Sequence, residues 1–453
     1  MSHVIAAVST GWQVAAIGIL RMSGDGAVEV ADRVFSAVNG KSLLEAPSHR
    51  TILGHLHDSQ GRVLDQVLAV VARGPGSYTG EDTVEFQCHG SPAVLAAGLE
   101  SLFAAGAWQA GPGEFTKRAF LNGRMDLTQA EAVIDLIEAE TADAAANAAG
   151  QLGGAVSRRI EPIYNDLTGI CAHFHAVLDY PDEDIEDFRM EQFAGTLDEA
   201  LDQLAALRAT FDRGAILRSG LDAVILGKPN VGKASLLNAL AGGDRVIVTD
   251  GAGTTRDAVT ETLRLGRLKL NLTDTAGIRA TEDKIEAMGV ERAEAAAGRA
   301  ALALCVFDGS RPLTDEDRRV MATAEQAGRA IAILNKQDLP QAVLPAELPF
   351  DLVVPMCAKT GQGIEQLEEA VEMLFPDDLP CDGAILTNAR QAAAIDRAGA
   401  ALASARNSME LHMTPDAVLV DVEDALEALG EITGKAMREE ITNQIFSRFC
   451  VGK

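Results

Sequence analysis

The sequence predicts a multidomain protein of mixed α+β and α/β class: an amino-terminal α+β domain, a helical bundle domain, and an α/β domain inserted within that bundle. Three observations predict it. The first 118 residues mix short β-like runs with Gly and Pro turns. From Leu127, and again from Asn388, the texture becomes Ala-rich and helical. Between these two stretches, short apolar runs each lead into a glycine or polar loop, the pattern of parallel strands feeding a ligand site.

Taken in order, Val4 to Val8, Ala15 to Leu20 and Val67 to Val71 are predicted strands of a domain spanning 1–118. In 119–216, Ile160, Ile163, Leu167, Ile170, Phe174 and Leu178 recur at gaps of three and four, as do Leu197, Leu201, Leu204 and Leu207, giving apolar helix faces for a bundle. The inserted domain takes 217–380, and helices return in 381–453, from Asn388 to Phe449. An α/β domain inserted into a helical one is the simplest arrangement of these pieces.

Composition narrows the class. A chain of 453 residues is long enough for about three domains, each with its own core. Met1 to Thr10 carry no basic-plus-apolar leader, and no apolar run reaches membrane-spanning length, so a cytoplasmic protein with no membrane partner is expected. Cys88, Cys171, Cys305, Cys357, Cys381 and Cys450 show no Cys-x-x-Cys spacing and read as reduced thiols. A net charge of −27 excludes a generic nucleic-acid coat, because phosphate contacts are supplied by Lys and Arg. An RNA partner must therefore be met by a local basic patch or by a second protein.

The inserted domain carries the most specific chemistry. Gly227-Lys-Pro-Asn-Val-Gly-Lys-Ala-Ser235 follows the strand-like Ala223 to Leu226 and precedes the helix-like Leu236 to Leu240. Gly227 and Gly232 let backbone N–H groups turn onto a diphosphate beside Asn230 and Val231, and Lys233 brings a positive charge to the outer phosphates. The next position normally holds a Ser or Thr hydroxyl for Mg²⁺; here it is Ala234. Ser235 is a poor substitute, since one helical step turns a side chain by roughly 100°. Phosphate binding is expected to survive and metal affinity to fall.

The loops that follow have the order and spacing of a Ras-like GTP-binding (G) domain. Asp274-Thr275-Ala276-Gly277 comes after the apolar Leu268 to Leu272, placing a carboxylate where it reaches Mg²⁺ through water and a backbone N–H near a terminal phosphate. Asn335-Lys336-Gln-Asp338 follows the strand-like Ala330 to Leu334; its Asp can accept two hydrogen bonds from guanine, a pattern adenine lacks. Cys357-Ala358-Lys359, after Leu352 to Val354, stands where a Ser-Ala-Lys loop would back the base. Gly253-Thr254-Thr255-Arg-Asp257 offers Thr255 to the metal and to the γ-phosphate. Each motif is weak alone, but their order predicts guanine nucleotide binding.

Along its full length the chain resembles the MnmE (TrmE) family of tRNA-modifying GTPases. The phrases that carry the resemblance are Gly18-Ile-Leu-Arg-Met-Ser-Gly24, Tyr78-Thr-Gly-Glu-Asp82, Gly113-Glu-Phe-Thr-Lys-Arg-Ala-Phe-Leu-Asn-Gly123, Gly253-Thr-Thr-Arg-Asp257 and the terminal Phe449-Cys-Val-Gly-Lys453. The resemblance implies a homodimer that works with an FAD-dependent MnmG-type partner on C5 of the wobble uridine of certain tRNAs, adding an aminomethyl-type group. It implies a 5-formyl- or methylene-tetrahydrofolate at the dimer of amino-terminal domains, held by Arg21, Glu85, Arg124 and Lys453, with Arg124 standing where a Lys is also seen. A pterin edge suits a carboxylate, and a glutamate tail suits cations.

The same resemblance makes Cys450 a nucleophile or thiol aid near the one-carbon centre, its thiolate favoured by Arg448 and Lys453; an inert, half-buried cysteine is the alternative. It further implies a GTPase in which K⁺, held by Asn230 and by Thr249, Gly251 and Thr254, takes the place of an arginine finger when two G domains meet. Glu286 then orients the attacking water through another water; without the resemblance it reads as a solvated helix charge. Cys171 and His175 lie one helical turn apart with no fourth ligand nearby, and read as bundle surface or core. The acidic Asp179 to Asp184 reads as a helix-breaking loop. Two other readings stay open: a ribosome-assembly GTPase, which leaves the folate phrases and the tail unexplained, and a GTP-gated scaffold whose hydrolysis Ala234 has impaired.

Overall fold

Strand β1 (Ile5–Val8) is buried along its whole length, and its neighbours build a seven-stranded sheet around it. These are β2 (Ala15–Ser23), β3 (Phe35–Ala37), β4 (Arg50–His57), β5 (Val63–Ala72), β6 (Thr83–Gly90) and β7 (Trp108–Gln109), in the order β3-β4-β5-β6-β2-β1-β7. All pairings are antiparallel except β1 with β7. Alternation puts Leu20, Met22, Val84 and Phe86 on one face, where they pack with Val28, Val34, Leu95 and Leu102 of helices Ala27–Val34 and Pro92–Ala104. The opposite face carries Arg21 and Glu85, half-buried.

The computed structural model describes residues 3–179, 189–242, 261–272, 294–376, 382–435, 439–447 and 449–452. The chain divides into two compact units: Met1–Ile134, Gln151–Leu201 and Ala394–Lys453 form one, and Asp135–Gly150 with Asp202–Ala393 the other. In the first unit, helix Ala155–Asp179 buries Ile160, Ile163, Leu167 and Ile170 and packs on helix Pro415–Thr433, which buries Val418, Val422, Ala425 and Leu429. The helical periodicity read from Ile160 to Ile170 therefore marks a core face, with Phe174 half-buried one turn on. Leu197, Leu204 and Leu207 are likewise buried on helix Ala194–Arg208.

The second unit holds a six-stranded sheet of β8 (Leu221–Leu226), β9 (Glu261–Leu265), β10 (Leu268–Leu272), β11 (Leu302–Asp308), β12 (Arg329–Asn335) and β13 (Val353–Pro355). Their order is β13-β12-β11-β8-β10-β9. Only the β9/β10 hairpin is antiparallel. Every residue of β11 is buried, as expected for a central strand of a parallel sheet covered on both faces. One face packs Leu236, Leu237 and Leu240 of helix Lys233–Ala241 with Leu367 and Val371 of helix Ile364–Leu374; the other packs Phe307, Ala324 and Val343. The carboxyl ends of β8, β11, β12 and β13 thus lie along one edge, the edge at which open α/β sheets bind ligands. No helix among the described residues is long and apolar enough to cross a membrane.

Candidate functional site

At the end of β8 the chain turns through Gly227 to Gly232 and enters helix Lys233–Ala241. Gly232 has φ 104°, and a Cβ there would stand 2.2 Å from Asn335 Nδ2, so only glycine fits. Asn230 adopts φ 64°, a conformation asparagine tolerates better than most residues. Lys233 Nζ donates to the carbonyls of Gly227 at 2.5 Å and Lys228 at 2.9 Å. Burial pushes its pKa below the ordinary lysine value; a bound phosphate would favour the charged form again. Ala234 is exposed in the first helical turn and offers no oxygen; Ser235, one step on, is exposed too.

Lys228 ties the loop to a second element. Its ammonium donates to Asp317 Oδ2 at 2.6 Å and Thr314 Oγ1 at 3.1 Å. Asp317 is buried and also accepts from the Thr314 N–H and hydroxyl, which closes the start of helix Asp315–Ala324.

On the base side, β11 and β12 run in parallel register with Asp308 opposite Asn335. Asn335 is buried; its Nδ2 donates to the Val231 carbonyl at 2.8 Å, and its Oδ1 accepts from the Ala358 N–H at 2.9 Å. One side chain therefore joins the phosphate loop to the Cys357-Ala358-Lys359 loop. Cys357 and Ala358 are buried, while Lys359 and Asp338 are exposed. Lys336 has φ 66°, and its ammonium meets Asp308 Oδ2 at 2.7 Å. Asp308 Oδ1 accepts from Ser310 N–H at 3.0 Å and Ser310 Oγ at 2.6 Å. Burial raises the Asp308 pKa, but the Lys336 and Ser310 hydrogen bonds and the Lys336 charge outweigh it, and the carboxyl titrates below its ordinary value. Asp308, Lys228 and Asp317 were not singled out by the motifs. The signal for Asp308 was an acid ending an otherwise apolar strand.

In the first unit, Arg21 of β2 faces Glu85 of β6 across the ladder, Nε to Oε1 2.7 Å. The Arg21 guanidinium also lies 5.7 Å from the ring centres of both Tyr78 and Phe115, within cation–π range. Arg124 is exposed beside Gly80 of the 78–82 loop. Phe115 belongs to helix Glu114–Leu121, and the residue that precedes this helix, Gly113, donates its N–H to the Cys450 carbonyl at 3.2 Å. Pro112 bridges Val451, and Ser9 Oγ donates to the Gly452 carbonyl at 2.9 Å. The tail is thereby laid against the end of β1, with Cys450 exposed. A cleft of about 370 Å³ beside it is lined by Glu114, Lys117, Arg118, Asn443 and Ser447 among others.

Cys171 is buried and His175 is exposed, its Nε2 3.4 Å from Glu423 Oε1. Thr249, Gly251, Gly253, Thr254, Thr255, Asp274, Thr275, Ala276, Gly277, Glu286, Cys381, Arg448 and Lys453 lie outside the described residues, as does the acidic stretch beyond Asp179.

A parallel sheet whose carboxyl edge carries a glycine loop running into a helix, with an Asn-Lys-Gln-Asp turn two strands away, defines a P-loop domain of the GTPase class, here joined to a separate α+β domain. The family profile described as "GTP-binding protein TrmE N-terminus" matches residues 4–124, and that of the "MnmE helical domain" matches 127–450. The tRNA modification GTPase MnmE of Streptococcus thermophilus (strain CNRZ 1066) is 42% identical over 99% of this chain and 98% of its own length. Its counterpart from Geobacillus kaustophilus (strain HTA426) is 43% identical over 99% of both. This chain belongs to the tRNA modification GTPase MnmE family. Among solved structures, the G domain of the T. maritima FeoB iron transporter is 24% identical and covers 34% of this chain and 97% of its own, with a TM-score of 0.26.

Proposed function

We propose that this protein hydrolyses GTP and, with an FAD-dependent MnmG-type partner, adds a carboxymethylaminomethyl-type group to C5 of the wobble uridine of certain tRNAs from a folate one-carbon unit. The observation that carries this reading is identity of about 40% over 99–100% of the chain to relatives named for tRNA modification. The proposed domains are 1–118 for folate binding and dimerisation, 119–216 and 381–453 for the helical domain, and 217–380 for GTP. The setting is cytoplasmic and the assembly a homodimer with its partner.

In this reading the Gly227 to Gly232 backbone and Lys233 hold the phosphates, Asp338 reads the guanine edge, and Asn335 keeps the two loops in register. Arg21 and Glu85, with Tyr78 and Phe115 against the guanidinium, suit the amide-and-amine edge and flat ring of a pterin; Arg124 and Lys453 complete the set, and Cys450 assists at the one-carbon unit. A folate would supply that carbon. K⁺, through Asn230, Thr249, Gly251 and Thr254, would neutralise charge developing between the β- and γ-phosphates, and Glu286 orients the water. The Mg²⁺ site fits less well, because Ala234 contributes no oxygen; Thr255, and Asp274 through water, are its proposed holders.

Ala234 favours a second reading, a GTP-gated scaffold with little turnover. The deciding measurement is GTP hydrolysis in matched K⁺ and Na⁺ buffers across a Mg²⁺ titration, beside Ala234→Ser. Potassium-stimulated turnover in the unaltered protein supports the enzyme. Turnover that begins only with the serine supports the scaffold. Activity insensitive to K⁺ removes the proposed cation role.

A further inference from the structure

We propose that Asp308 is a positioning residue for base recognition: it holds Lys336, and through it the Asn335 to Asp338 turn, in the form that receives a purine nucleotide. The proposal rests on the nucleotide reading above and extends it to a residue outside every motif.

Asp308 ends a strand whose other residues are apolar and buried, and it is only 7% exposed itself. A carboxylate in such a place is unfavourable unless it is paired and fully hydrogen-bonded. Both oxygens are engaged, Oδ2 by the Lys336 ammonium and Oδ1 by the Ser310 N–H and hydroxyl. The group is therefore held in place, and it holds Lys336 in turn.

Lys336 needs holding. Its φ of 66° lies in the left-handed region that lysine rarely adopts, so the turn is imposed by surrounding bonds. Those bonds come from two sides. Gly309 donates its N–H to the Asn335 carbonyl at 2.9 Å, directly after Asp308. On the far side, the Leu339 N–H and Gln341 Nε2 each donate to the Lys336 carbonyl at 3.0 Å. The backbone is thus fixed by 309, 339 and 341, and the side chain by Asp308. With its ammonium bonded there, the Lys336 side chain still keeps 29% of its surface exposed, and its apolar stem can lie against the flat face of a base. Without Asp308, the ammonium would be free to leave and the stem would lose its fixed place.

A double-mutant cycle on the full-length protein tests this, with a fluorescent N-methylanthraniloyl-GDP as probe and ADP as competitor. Preference of the unaltered protein for GDP over ADP establishes the reading on which the proposal stands; equal affinities overturn both. Given that preference, Asp308→Asn is expected to weaken GDP about tenfold, mainly through faster release. Asp308→Asn combined with Lys336→Met should bind no more weakly than Lys336→Met alone, because the aspartate acts through the lysine. Losses that multiply overturn the proposal, as does a lower melting temperature with unchanged affinity. Should Asp308→Asn not fold, Ser310→Ala removes one bond to the carboxylate and keeps its charge. A severalfold loss of GDP affinity at unchanged melting temperature then supports the proposal, and unchanged affinity overturns it.

Discussion

Asn335 donates its side-chain amide to the Val231 carbonyl at 2.8 Å, so the end of β12 and the phosphate loop are held together by one buried hydrogen bond. The same side chain accepts from Ala358, and two loops far apart in sequence share one anchor.

Replacing that anchor should therefore affect both halves of the nucleotide site at once. Asn335→Ala leaves a buried carbonyl and a buried N–H without partners, each at a cost of about 1–3 kcal/mol. The expected result is a lower melting temperature and GDP binding weakened at least tenfold in calorimetric titration, since a loss of about 1.4 kcal/mol is tenfold. Affinity within twofold of the unaltered protein would count against the anchoring role.

The tail provides a second test. Gly452 has φ 100°, and a Cβ there would lie 2.3 Å from the Val8 carbonyl, a clash with backbone that no rotamer relieves. Gly452→Ala should lift residues 449–452 from β1 and make them easier for carboxypeptidase to remove. The rest of the protein should melt within a few degrees of its usual temperature, because the buried sheet core is untouched. Equal digestion rates would show that the tail is held by other contacts.

A third expectation concerns the buried thiols. Burial pushes Cys88 and Cys305 up to about 12 and Cys171 up to about 11, with help from the Asp65 charge at Cys88 and the Glu423 charge at Cys171. Thiolate is the reactive form, so iodoacetamide at pH 8 should leave these three unmodified in the folded protein while alkylating exposed Cys450. Peptide mass mapping before and after denaturation reads this directly. Because the raised values mean that the folded chain keeps protons the unfolded chain has released, their contribution is intact below the ordinary thiol pKa of about 8.5 and falls as pH rises from there towards 12. Early labelling of Cys88 in native protein would contradict its enclosure.

Local pattern made much of this architecture legible. Leu268 to Leu272 is a strand over the residues its apolar run suggested, and the helix at Leu127 begins where the texture changes. Both depend on neighbours in sequence, through periodicity and glycine punctuation. Pairings across long separations were not legible. Nothing local to Asp308 names Lys336 as its partner, since their meeting follows from the parallel register of β11 and β12. Lys228 carries no separate signal in the sequence, and its role follows only when the fold brings Asp317 to its ammonium. The docking of Gly452 on Ser9 depends on a strand made far earlier in the chain.

That last contact bears on synthesis. Ser9 and Gly452 are separated by 443 residues, so at a translation rate of about 5–20 residues per second roughly 20–90 s pass before the tail that docks on Ser9 exists. During that interval the docking edge at Ser9 and Pro112 stands open on the nascent chain. A chaperone, or the same edge of another unfinished copy, has that long to occupy it.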